Sequence, residues 1–123
     1  MSNTFDDLFI EEDEFNEELL KEILDNKVKL TNEGRVIFQE EFSAKHKIIL
    51  YLLSNKIFVK KGIKADESEG PRDIYKNSDI PEGTVKRTVR ELTDDKIVMT
   101  KDGKYQIPNY GIIKIKKMFQ NDK

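Results

Sequence analysis

The chain has 123 residues, room for one modest domain and a tail, and charged and hydrophobic residues each make up 37%, so the core is small and the surface densely charged. It contains no cysteine and a single histidine, His46, which excludes disulfides, thiol chemistry and zinc sites built on those ligands. There is no apolar run of membrane-spanning length, and the acidic start is unlike the basic start of a signal peptide. A soluble, cytoplasmic protein with no membrane partner is the expectation.

The net charge of −2 hides a division. Residues 1–25 hold ten acids against one base, Lys21, a net of −9, while the remaining chain holds 21 bases against 14 acids, a net of +7. Residues 1–26 therefore read as an acidic arm, and residues 27–123 as a basic domain of the kind that binds nucleic acid. Within the arm, Phe5, Leu8, Phe9 and Ile10 lie among acids. Phe15, Leu19, Leu20, Ile23 and Leu24 then recur at helical spacing, which predicts an amphipathic helix over roughly Asp13 to Leu24. Such a helix either packs on its own domain or a dimer partner, or the arm engages a basic or hydrophobic partner surface or folds over the domain's own basic face as a mimic of phosphate charge. The residues before Phe15 read as mobile.

After the arm, Lys27-Val28-Lys29-Leu30 and Arg35-Val36-Ile37-Phe38 flank Thr31-Asn32-Glu33-Gly34. These runs predict a short β-hairpin with Gly34 in a left-handed position. Ser43 is a good N-cap for the next segment, AKHKIILYLLSNKIF. Ile48, Ile49, Leu52, Leu53 and Ile57 make it the most apolar helix and the natural core helix. His46 in its first turns has no nucleophile or second histidine at a telling spacing, so it reads as a surface residue. Tyr51 reads as packing. Within Phe58 to Gly70 the composition turns after Val59 to glycine and mixed charge, which predicts a flexible loop whose Lys60, Lys61 and Lys64 could approach phosphates.

The stretch from Pro71 to Val98 organises the rest. Arg72 to Asn77 reads as a short helix opened by Pro71, and Asn77-Ser78-Asp79 as a turn. Pro81-Glu82-Gly83 starts a second helix, in which Val85, Val89 and Leu92 share one face while Lys86, Arg87 and Arg90 fall on the others. Beyond it, Ile97 to Thr100 and Tyr105 to Ile107 flank Asp102-Gly103, the dipeptide of a type I′ hairpin turn. Pro108-Asn109 then leads into a closing helix from about Tyr110. There, Ile112, Ile115 and Phe119 suit the core or a second subunit, and Lys114, Lys116 and Lys117 suit solvent.

A short helix, a turn, a basic-faced helix and an immediate β-hairpin resemble the winged helix-turn-helix family, and IPEGTVKRTVREL resembles its recognition helix. The resemblance spans Ser43 to Phe119. It implies an α+β, mainly α fold with the acidic arm and a short hairpin placed before the core helix. It also implies a DNA-binding transcriptional regulator without cofactor or metal, reading double-stranded DNA and able to form a homodimer. On this template Arg87 reads bases through a bidentate fork on guanine. Lys86 and Arg90 hold phosphates, and Thr84 can do either. Lys101 and Lys104 at the hairpin tip meet the backbone. Two other roles fit the fold class: a protein-interaction module docking on a transcription, replication or ribosome-associated complex, and RNA binding through the same face. Glycine-rich phosphate loops and converging catalytic carboxylates are missing from the pattern, so no enzyme is expected.

Overall fold

The computed structural model describes residues 17–121. The chain forms α1 (Glu17–Leu24), a hairpin of β1 (Val28–Leu30) and β2 (Val36–Phe38), then α2 (Ala44–Lys60), α3 (Pro71–Ser78) and α4 (Glu82–Asp94). A second hairpin of β3 (Met99–Lys101) and β4 (Lys104–Gln106) follows, then a 3₁₀ turn (Asn109–Gly111) and α5 (Ile112–Asn121). This is an α+β fold, mainly helical, with two small antiparallel hairpins.

The apolar residues of α2 explain its central place. Ile48, Ile49, Leu50, Tyr51, Leu52 and Leu53 are all buried, and α2 packs against α1, α3 and α4. Ser43 caps its start, the hydroxyl accepting from the His46 N–H at 3.2 Å. The helix runs to Lys60 and stops where Gly62 turns left-handed at φ 75°, with Ile63 N–H bonded back to Phe58 O at 2.7 Å. The helix thus runs two residues beyond Phe58, the last residue of the predicted helical segment.

The segment that follows also departs from the flexible loop expected. Asn55 donates to the Glu67 carbonyl, Lys56 to the Glu67 carboxylate, and Lys64 to Asn55 and Glu69, so residues 61–70 are stitched onto α2 by polar bonds. Lys64 is consequently committed to Glu69 at 2.8 Å rather than offered to a phosphate.

Only the last part of the predicted arm helix, Glu17–Leu24, falls within the described residues. There Leu20, Ile23 and Leu24 are buried in the same core as α2, and α1 packs on α5. The cluster Phe5 to Ile10, and the reading of residues before Phe15 as mobile, lie outside the described residues. The first hairpin pairs Val28 with Phe38 and Leu30 with Val36, and Gly34 has φ 87°, the left-handed position expected of it. Ile112 and Ile115 place α5 on the core of its own chain, and His46 packs beside Phe119 with ring centroids 4.7 Å apart. No described helix is long and apolar enough to cross a membrane.

Candidate nucleic-acid interface

Helices α3 and α4 are set by three short devices. Pro71 opens α3 within its first turn, as its fixed φ allows, and Asp79 ends it in the left-handed region at φ 63°. Ile80 then points into the core, 5% exposed, and Pro81 is the N-cap of α4. Asp79, Ile80 and Pro81 turn the chain so that α4 packs against both α2 and α3. At its far end Lys96 is left-handed at φ 62°. Ile97 N–H bonds to Leu92 O at 2.9 Å, and Lys96 N–H to Thr93 O at 3.0 Å, a Schellman stop.

On α4, Val85, Thr88, Val89 and Leu92 are buried, an arc matching the apolar spacing in the sequence. Arg87 and Arg90 lie opposite that arc by the 100° per residue of an α-helix, both exposed. Neither forms an ion pair among the described residues. Lys86, also exposed, pairs with Glu82 one turn earlier at 3.3 Å, and so is partly neutralised in the free protein. Thr84 is half-buried beside the arc, so of the sequence candidates it is the least available. Gly83 stands on the exposed side, and a Cβ built there meets nothing within 4 Å.

The second hairpin supplies the remaining candidates. Its turn has Asp102 at φ 54° and Gly103 at φ 77°, the two positive values a type I′ turn requires. Met99 pairs with Gln106 and Lys101 with Lys104, so the two lysines face one another across the last rung, both exposed. Lys104 lies 4.0 Å from Asp66, a loose pair in solvent. Hydrogen bonds from the Ser68 N–H and hydroxyl hold Asp66 below the usual carboxylate range. Lys114, read as a solvated base, instead donates to the Asp95 carbonyl at the end of α4.

One cluster was not foreseen. Tyr51, Asn55 and Lys56 interrupt the apolar run of α2 and are all buried. The Tyr51 hydroxyl donates to Glu69 at 2.6 Å and accepts from Asn77 at 3.1 Å. Burial, with the Glu69 carboxylate alongside, pushes the Tyr51 phenol far above its ordinary range. Lys56 donates at 2.6 Å to both Glu67 and Asn109; burial pulls its pKa down while Glu67 opposes that pull. The signal for this cluster was present as polar residues at i and i+4 inside an apolar helix. Their acidic partners only become apparent once residues 61–70 fold back. Among the described residues no group of three or more histidines and carboxylates could hold a metal.

No family model, no curated protein and no solved structure matches the chain.

Proposed function

We propose that this protein is a DNA-binding transcriptional regulator of the winged helix-turn-helix type. In this proposal α4 enters the major groove of double-stranded DNA and the β3–β4 hairpin lies along the backbone. One observation carries the proposal: α4 buries one side in the core and turns two exposed arginines, Arg87 and Arg90, away from it, neither in an ion pair among the described residues. Arginine is the side chain whose planar fork matches guanine O6 and N7 as well as phosphate. Lys101 and Lys104 extend the positive charge to the hairpin, where lysine suits backbone contact. Lys86 joins once a phosphate competes with Glu82 for it.

This role is one of binding, not catalysis. The buried polar groups that could have suggested chemistry are hydrogen-bonded to one another, and no buried side-chain nitrogen or oxygen among the described residues lacks a partner. Fluorescence anisotropy with random-sequence duplex DNA over a series of salt concentrations tests the proposal. Each neutralised phosphate contributes about −0.9 to the log–log slope, so the parent protein is expected near −4 to −6. Arg87→Ala with Arg90→Ala is expected to weaken binding and make the slope shallower by about 1 to 2. An unchanged affinity in that double variant rejects the proposed face. If the parent shows no salt-dependent binding to duplex, a protein-docking role takes its place. Preference for structured RNA in competition would move the same face to RNA.

A further inference from the structure

The β3–β4 hairpin is short, and its own ladder spans three residue pairs, too little to hold a fixed direction in water. It is tied to the body of the protein through Glu69. The Glu69 N–H donates to the Tyr105 carbonyl at 3.0 Å, and the Tyr105 N–H donates back to the Glu69 carbonyl at 2.8 Å. This isolated antiparallel bridge makes Glu69 a one-residue third strand. Gly70, next in sequence, sits close enough to the hairpin turn that a Cβ there would lie 3.5 Å from the Gly103 carbonyl oxygen.

The side chain of Glu69 makes a second set of bonds, to the helices. Its Oε1 accepts from the Tyr51 hydroxyl at 2.6 Å, and its Oε2 accepts from Asn55 Nδ2 at 3.0 Å and Lys64 Nζ at 2.8 Å. Tyr51 and Asn55 stand one helical turn apart on α2, both 0% exposed, so their donors cannot move to follow the carboxylate. Asn77 of α3 donates to the same Tyr51 hydroxyl. The backbone of Glu69 therefore holds the hairpin while its carboxylate is held by α2 and, through Tyr51, by α3.

We infer that Glu69 is a positioning residue for the basic hairpin, setting where Lys101 and Lys104 stand relative to Arg87 and Arg90. This inference rests on the DNA-binding role proposed above. Charge-assisted bonds to buried donors are stronger than neutral ones, and removing the acceptor leaves Tyr51, Asn55 and Lys64 without it. The bridge to Tyr105 then has no anchored side chain behind it.

The test is a four-protein cycle in the full chain: parent, Glu69→Ala, Lys101→Ala with Lys104→Ala, and the triple variant. Positioning predicts that Glu69→Ala makes the salt slope of duplex binding shallower by as much as the lysine pair does, up to about 1.8 for two phosphates. It further predicts that the substitution adds nothing in the background already lacking the lysines. Equal losses in both backgrounds, or a parental slope in Glu69→Ala, overturn it. Amide hydrogen exchange supplies a readout independent of DNA. Exchange at the Tyr105 amide is expected to accelerate in Glu69→Ala while that at Val89, inside α4, keeps its parental rate. Acceleration of both together signals general destabilisation and overturns the inference, whereas a parent that fails to bind duplex refutes the DNA-binding role and leaves the exchange result to decide this one. Should Glu69→Ala not fold, Tyr51→Phe removes one of the three donors with packing kept. It is expected to give the same pattern at smaller amplitude, and a parental Tyr105 exchange rate in it would count against the inference.

Discussion

Gly83 is a residue whose identity the fold does not require. Its φ is not in the positive range where glycine is needed, and a side chain there would meet open space. Glycine inside a helix costs about 0.5–1 kcal/mol relative to alanine. Gly83 stands in the first turn of α4, so Gly83→Ala is expected to raise unfolding stability by at most about that amount, measured by urea denaturation, and to weaken duplex binding if the exposed side of α4 meets DNA closely. A stability gain with unchanged binding would remove Gly83 from the contact. Tyr51 carries a pH signature. Its folded pKa is raised above the unfolded value of 10.0, so the phenol's contribution is fully present below that pH and is lost as pH rises beyond it. The urea midpoint is expected to fall steeply above pH 10, and Tyr51→Phe should flatten that fall. An equally steep fall in the variant would assign the alkaline loss to other groups.

At the scale of elements, how far the sequence is readable depends on how local the cause is. Ser43 acts through its capping hydroxyl, and Pro71, Pro81, Gly34 and Asp102-Gly103 through their own backbone geometry, so each sits where its local chemistry places it. The buried arc of α4 follows from helical spacing alone. Residues 61–70 failed to be legible because their order comes from bonds to α2, eleven or more residues away in most cases, and composition carries no trace of such bonds. The end of α2 is local in origin: Gly62 is the left-handed stop, and it carries the helix to Lys60, two residues past the predicted segment. Of the candidate interface, the sequence pointed to Thr84, Lys86, Arg87, Arg90, Lys101 and Lys104, but the pairing of Lys86 with Glu82 and the half-burial of Thr84 are set by the folded helix and leave no mark in composition. Within α4 the buried arc is also the most sensitive to truncation. Leu92→Ala, at a fully buried site that also closes the Schellman stop, is expected to cost about 2–5 kcal/mol in urea unfolding.

For the whole molecule, the charge division and the packing do not share a boundary. Leu20, Ile23 and Leu24 belong to the core, so cutting the chain at residue 25 would remove buried apolar surface along with the acids. Residues 1–16 hold six acids and no base, and without them the net charge of the chain changes from −2 to +4. Deleting residues 1–16 is expected to tighten non-specific duplex binding at low salt. Equal affinities for the two forms would show that these acids do not compete for the basic face. Leu20→Ala, by contrast, is expected to lower stability by about 2–5 kcal/mol.

The burial of α1 has a further consequence for those acids. Because α1 packs on α2 and α5, residues 1–16 are joined in the chain to the same body that carries Arg87 and Arg90. Sixteen residues reach at most about 55 Å from that junction. A competitor joined covalently to the surface it competes for acts at an effective concentration that dilution of the protein does not change. Any self-competition would then act as a constant handicap on affinity, the same at every protein concentration, and only salt or an event that removes the acids' charge or their attachment would lift it.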